Sequence, residues 1–286
     1  MRKFVLVTVL LVFIIGVTYT WAQETPVEET VLPTMMIPDT ESFTLTAAAN
    51  NREYLISVSL PSTYGLYKQS YPALYLLDPD LTFGTVTDFV RLMAPDELPG
   101  LIVGGIGSTA RNQRGKDYDT EDDLFLKFIG EELFPFIDTH YSTIATDRAI
   151  AGFSVGGQFV LYTLWSKPEL FNRYIAISPS TPVEFNDVLA GSDDAFRSNL
   201  SEHKLRLFIA TGSNEFSIIG DRLREQNFEG LTLTTLEVEN ATHKAMLHSS
   251  LPQAILSQCS KVCQQKSGSN KGLKPLVQHQ HFRLMA

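Results

Sequence analysis

The sequence predicts an α/β fold, with a mostly parallel central sheet, an antiparallel hairpin at its N-terminal side and helices on both faces. Three observations predict it. Short apolar runs of buried-strand type recur along the chain. Stretches with helical patterning separate most of them, which is the signature of strands joined by crossover helices. The first two strand-like segments, by contrast, face each other across Asn50-Asn51, a hairpin turn.

Taken in order, residues 1–22 are set aside from the fold as a signal peptide. Arg2 and Lys3 precede the apolar run Phe4–Val17, and Thr20-Trp21-Ala22 puts small residues where a signal peptidase cuts. The apolar run is only slightly short of a bilayer span, so an uncleaved anchor helix is the competing reading. No Cys follows it to carry a lipid. Residues 23–37 read as an N-terminal extension. Phe43–Ala48 and Glu53–Leu60 form the hairpin, which Pro61 closes. Strands are then expected at Ala73–Leu77, Leu101–Val103, Ala149–Ala151, Tyr174–Ile177, Leu205–Ala210 and Leu231–Val238. Helices are expected at Thr85–Met93, Asp122–Tyr141, Gly156–Ser166, Ile218–Gln226 and Ala245–Leu256. No linker or repeat divides residues 38–256, which read as one domain.

Charge excludes some functions. The formal net charge of the 286 residues is −9 and becomes −11 once Arg2 and Lys3 are removed. That balance argues against nucleic acid or an anionic membrane as the main partner. Residues 257–286 differ from the rest: they carry Lys261, Lys266, Lys271, Lys274 and Arg283 with no acid, and read as a basic, disordered tail. Cys259 and Cys263 both lie there, at a spacing that is poor for a disulfide and too few for a metal site.

The chemistry concentrates at Gly152-Phe153-Ser154-Val155-Gly156-Gly157, between an apolar strand and a helical run. A nucleophile elbow needs this order: a Ser at a sharp strand-to-helix turn, flanked by glycines because side chains there would clash. The Val155 N–H then lies where an oxyanion forms. A serine hydroxyl needs a base, which in such folds follows an acid late in the chain. His243 stands just after the last predicted strand, and Glu215 just after Leu205–Ala210. Asp221 is the alternative acid, and His248 falls inside the last helix. His140 and His203 come too early in the order, and His279 and His281 lie in the tail.

Two other motifs are discounted. Gly105-Ile106-Gly107-Ser108-Thr109-Ala110 fits a dinucleotide fingerprint, but the polar stretch Arg111–Glu121 opens no helix to hold a pyrophosphate, so it reads as a loop lining the site. Glu121-Asp122-Asp123 reads as first-turn acids complementing a helix dipole rather than a metal site. No metal or nucleotide motif implies a cofactor.

Several segments resemble the putative esterase family of the α/β-hydrolase superfamily, which includes esterase D (S-formylglutathione hydrolase) and the enterochelin and salmochelin esterases. They are REYLISVSLPSTY (from Arg52), LYLLDPD (Leu74–Asp80), Val103–Gly107, RGKDY (Arg114–Tyr118), Phe125–Tyr141, and above all RAIAGFSVGGQFVLYTLWSKPELFNRYIAISPS (Arg148–Ser180). The resemblance runs from about 38 to 256, and the exported siderophore esterases are closest in context. It selects His243 over His248, through HKAMLHSSLPQAIL. It implies the α/β-hydrolase fold and a metal-independent carboxylic ester hydrolase: Ser154 attacks, His243 shuttles the proton and Glu215 supports the imidazolium, although some members use a Ser–His pair alone. Asp78-Pro79-Asp80 departs from the family's Asp-Gly-Asp turn. Pro79 has no N–H, so the second oxyanion donor falls to Asp80 or Leu81. Arg114 matches a recurrent basic position and is expected either to hold an anionic or phenolic part of the substrate or to pair with Asp117. The expected partner is a small or medium ester, with a siderophore, aryl or generic acyl ester all open, in the periplasm or outside the cell. No stable membrane partner is expected unless the signal is uncleaved, and oligomeric state is left open. Acyl transfer by the same residues and non-catalytic binding on the same scaffold are the competing functions.

Overall fold

The computed structural model describes residues 36–110, 113–119, 122–180, 194–213 and 218–260. The expected signal peptide, nearly all of the N-terminal extension, Glu215 and the tail from 261 onward lie outside the described residues. A compact unit begins at Ile37.

The hairpin comes first. β1 (Thr40–Thr46) and β2 (Glu53–Ser59) pair antiparallel. The Ala47 N–H donates to the Arg52 carbonyl and the Asn51 N–H to the Ala47 carbonyl, both at 2.8 Å. Asn51 takes a φ of 54°, which Asn tolerates better than most residues. Glu132 reaches across from the helical layer and accepts the Ala48 and Ala49 N–H groups at 2.8 and 2.9 Å.

Six strands follow: β3 (Tyr71–Leu77), β4 (Ile102–Ser108), β5 (Thr143–Phe153), β6 (Arg173–Ile177), β7 (Leu205–Gly212) and β8 (Leu231–Val238). The sheet order is β1-β2-β4-β3-β5-β6-β7-β8. β2 pairs antiparallel with β4, and every later pairing is parallel. Around the sheet lie α1 (Pro79–Met93), the short α2 (Arg114–Asp117), α3 (Leu124–Lys127), α4 (Phe134–His140), α5 (Val155–Ser166), α6 (Asp194–Ser201), α7 (Ile218–Gln226) and α8 (His243–Cys259).

Alternation along the strands feeds two apolar layers. Tyr75, Ile150, Tyr174 and Leu207 point into one, against Phe125, Phe128 and Phe159. Leu74, Leu76, Ala151 and Phe208 point into the other, against Val86, Val90, Leu251 and Ile255. Burial on both faces is why these strands read as continuous apolar runs, without polar alternation.

Several boundaries differ from expectation. α1 begins at Pro79, well before Thr85, because proline at a first helical position has its φ preset and loses no needed N–H. The run expected as one helix over Asp122–Tyr141 is helical from Leu124 to His140, but wound as a π-helix over Phe128–Leu133. Pro135, just beyond, offers no N–H to the preceding turn. At the C-terminal end, α8 continues past Leu256 to Cys259, so the expected tail boundary moves. Gln258 and Cys259 are fully buried, and the Arg206 guanidinium donates to the Ser257 and Gln258 carbonyls.

The segment Gly105-Ile106-Gly107-Ser108, expected as a loop, is the second half of β4. Its glycines answer to packing. A Cβ on Gly105 would stand 2.6 Å from the Pro79 Cβ, and one on Gly107 would stand 3.1 Å from the Pro79 Cγ. Pro79 therefore lies on a strip of bare backbone. Gly105→Ala should destabilise the protein by about 1–3 kcal/mol through this overpacking, read as a lowered melting temperature.

β3 lies between β4 and β5, so the chain steps to one side of β3 and then returns across it. Reversals of this kind leave a crevice outside the carboxyl ends of the two flanking strands. Here those ends are Leu77-Asp78 and Phe153-Ser154.

Candidate active site

Ser154 sits between β5 and α5 with φ 57° and ψ −118°, a conformation that L-residues rarely adopt. The surroundings hold it there. Its N–H donates to the Ile177 carbonyl of β6 at 2.9 Å, and its carbonyl accepts the Gln158 N–H at 2.9 Å. The glycines are sterically required: a Cβ on Gly152 would lie 2.3 Å from the Gly156 carbonyl oxygen, and one on Gly157 would lie 3.0 Å from the Ile177 carbonyl oxygen. Val155 is the first residue of α5, so its N–H has no acceptor within the helix.

His243 is exposed at the first position of α8. The cap is Thr242, whose hydroxyl oxygen accepts the Ala245 N–H at 3.4 Å. The His243 ring packs on Phe153, the neighbour of Ser154, with 4.8 Å between ring centroids. The loop after β8 is thereby brought to the end of β5. That loop is also tied to the end of β7, since the Asn240 N–H donates to the Ser213 hydroxyl oxygen at 3.1 Å.

The rival residues lie elsewhere. Asp221, on the exposed side of α7, pairs with Arg224 at 2.5 Å, and Arg224 also donates to Thr235 of β8. The His140 Nδ1 lies 2.8 Å from the Phe136 carbonyl oxygen, and its ring stacks on Phe136. His248 is exposed further along α8. Asp123 accepts the Tyr162 hydroxyl at 2.5 Å. Among the described residues, no group of three or more His, Cys, Asp or Glu is placed to hold a metal ion.

Opposite Ser154 across the crevice, Asp78 ends β3 and caps α1 in the left-handed conformation, φ 51° and ψ 56°. The Leu81 N–H donates back to the Asp78 carbonyl at 3.0 Å. Pro79 has no N–H, so of the two donors expected from this turn Asp80 retains one that the turn does not consume. Arg114 does not pair with Asp117. Its Nε and Nη2 donate to the two oxygens of Asp78, at 2.5 and 2.9 Å, and this bond raises its pKa further. Asp117 instead accepts Arg52 Nη1 at 2.9 Å and the Tyr54 hydroxyl at 2.8 Å, while burial holds its carboxyl above the usual range. The Tyr118 hydroxyl completes the cluster, donating to Asp78 at 3.1 Å. Burial, then the charge of Asp78, push the Tyr118 pKa well up and keep it a donor. Sequence reasoning assigned no role to Asp78 or Tyr118, although both stand in the LYLLDPD and RGKDY segments.

A separate cavity of about 270 Å³ opens beside Arg148, lined also by Phe134, Asp138, Glu169 and Leu170. At about 3.3 Å per strand residue, Arg148 is some 17 Å up the strand from Phe153, too far to serve the same reaction. The helices offer no membrane span either: among the described residues, none is long and apolar enough to cross a bilayer.

Residues 47–248 match the protein family described as Putative esterase. The chain is 35% identical over 173 residues to the ferri-bacillibactin esterase BesA of Bacillus subtilis (strain 168), covering 50% of this chain and 59% of that protein. It is 30% identical over 169 residues to the siderophore triacetylfusarinine C esterase of Aspergillus fumigatus, covering 50% of this chain and 56% of that one. The match thus spans somewhat more than half the length of these curated relatives. Among solved structures, the BES protein from Bacillus cereus superposes with a TM-score of 0.70 at 21% identity, over 79% of this chain and 98% of that chain. The fold is the α/β-hydrolase arrangement that the sequence predicted.

Proposed function

The chain belongs to the Putative esterase family, and from that membership we propose that it is an exported serine hydrolase of carboxylic esters, acting through an acyl-enzyme. One observation carries the reading: Ser154 is held at positive φ on a strand-to-helix turn, with His243 packed on the adjacent Phe153. In this reading Ser154 attacks the acyl carbon as His243 takes its proton, and His243 returns that proton to the leaving alcohol. The Val155 and Asp80 N–H groups receive the oxyanion. Glu215 orients the imidazole. In support, Glu215 follows closely on Ser213, whose hydroxyl holds the His243 loop through Asn240. No step requires a cofactor.

The substrate class we propose is a siderophore ester, since both named relatives are siderophore esterases. The Arg114 side chain is 42% exposed and reaches an anionic or phenolic part of the substrate with the edge that Asp78 leaves open. Export rests on the basic start, apolar run and small-residue exit of residues 1–22, and places the enzyme in the periplasm or outside the cell.

The test uses the chain from Gln23, a ferric catecholate trilactone, a ferric hydroxamate ester and p-nitrophenyl butyrate, followed by labelling with a phosphonofluoridate. Turnover of a siderophore ester, and one phosphonyl group on the Ser154 peptide by mass spectrometry, are expected. Turnover that survives full labelling elsewhere would remove Ser154 from the mechanism. Turnover of the aryl ester alone would remove the siderophore assignment.

A further inference from the structure

We propose that Asp78 is a positioning residue for ester cleavage, its carboxylate locking the β3–α1 turn to the Ser154 elbow so that the Asp80 N–H stays aimed at the oxyanion. The inference rests on the esterase reading above.

Both faces of Asp78 are occupied. Its backbone carbonyl accepts the Leu81 N–H at 3.0 Å and the Thr82 hydroxyl at 3.2 Å, which closes the turn. Its carboxylate accepts the forked Arg114 pair and the Tyr118 hydroxyl, and the residue is only 8% exposed. A carboxylate so saturated with donors is poorly suited to act as a base or nucleophile. It is well suited to hold backbone in place.

The elbow meets the same carboxylate. A Cβ added to Gly156, in the first turn of α5, would come within 3.0 Å of an Asp78 oxygen. The turns carrying the Val155 and Asp80 N–H groups therefore abut at one buried anion. Left-handed backbone at Asp78 directs the chain into α1, and Asp is among the few residues that accept it. Proline at position 79 removes one N–H from the turn and stiffens what remains, so the alignment of the next N–H depends on how Asp78 is held.

Asp78→Ala, Asp78→Asn and Arg114→Lys should be compared with the wild type on p-nitrophenyl acetate, a neutral ester that makes no demand on Arg114 for binding. Melting temperature is followed alongside. A displaced oxyanion donor acts on the transition state, so kcat should fall about 100-fold in Asp78→Ala, with KM within about threefold of wild type. Asp78→Asn keeps an acceptor and should recover part of the loss. Arg114→Lys keeps the charge but not the fork, and should resemble Asp78→Asn. If Asp78→Ala does not fold, the other two variants carry the comparison. A folded Asp78 variant with wild-type kcat, or a loss expressed only in KM, overturns the proposal while leaving the esterase reading intact. A wild type no faster than Ser154→Ala overturns both.

Discussion

Ser154→Ala and His243→Ala should each lower kcat/KM for p-nitrophenyl butyrate by at least about a thousandfold, and the double variant should be little worse than either alone. The non-additivity follows from the proposed mechanism. A serine hydroxyl at its ordinary pKa is a poor nucleophile, and an imidazole with no hydroxyl to activate has no proton to take. Neither substitution should disturb the fold. Ala can take up the turn held by the Ile177 carbonyl and the glycines, and His243 is exposed at a helix start capped by Thr242. Equal melting temperatures with lost turnover would therefore assign the loss to chemistry. Retention of more than a tenth of the activity in His243→Ala would sink the role given to that residue.

Gly152→Ala should be damaging in a different way, lowering stability and activity together. The new methyl would lie 2.3 Å from the Gly156 carbonyl oxygen and 2.4 Å from its carbon, and backbone of the first turn of α5 cannot rotate aside as a side chain would. A cost of about 3 kcal/mol or more is expected. For a domain of this size that lowers the melting temperature by roughly 6–12 °C. Relief of the clash has to move α5 away from β5, and the Val155 N–H with it, so kcat should also drop by at least about tenfold. Gly115→Ala is the matched control, because a Cβ there meets nothing within 4 Å. A Gly152→Ala protein that melts with the wild type would show that steric exclusion does not shape the elbow.

The strands were legible wherever burial on both faces forces an apolar run, as at Tyr174–Ile177 and Leu205–Ala210, and the start of α1 was not. Asp78-Pro79-Asp80 has the composition of a turn. Only Asp78 is one in the structure, and Pro79 already lies in the helix. Gly105 and Gly107 misled for a related reason. Glycine in a sequence signals a lack of side chain, not its cause, and here the cause is Pro79, packed onto β4 from the start of the preceding helix. Arg114 illustrates the limit for charges. Sequence proximity offered Asp117 as its partner, whereas the sheet order places the end of β3 within its reach.

By itself, the sequence determined the α/β class, the antiparallel hairpin, the Ser154 elbow and the candidacy of His243. The first three depend on local patterns, namely apolar periodicity and glycines spaced around a serine in a strand-to-helix setting, and His243 on its place after the last strand and on the family resemblance. The tertiary structure decided which side chains meet. It packed the His243 ring on the Phe153 ring, gave Arg114 to Asp78 and Asp117 to Arg52 and Tyr54, and brought the turn after β3 against the first turn of α5. The physical reason is the crossing of the chain over β3. Strand order brings together ends that are far apart in sequence, and contacts of that range leave no periodicity along the chain from which to read them.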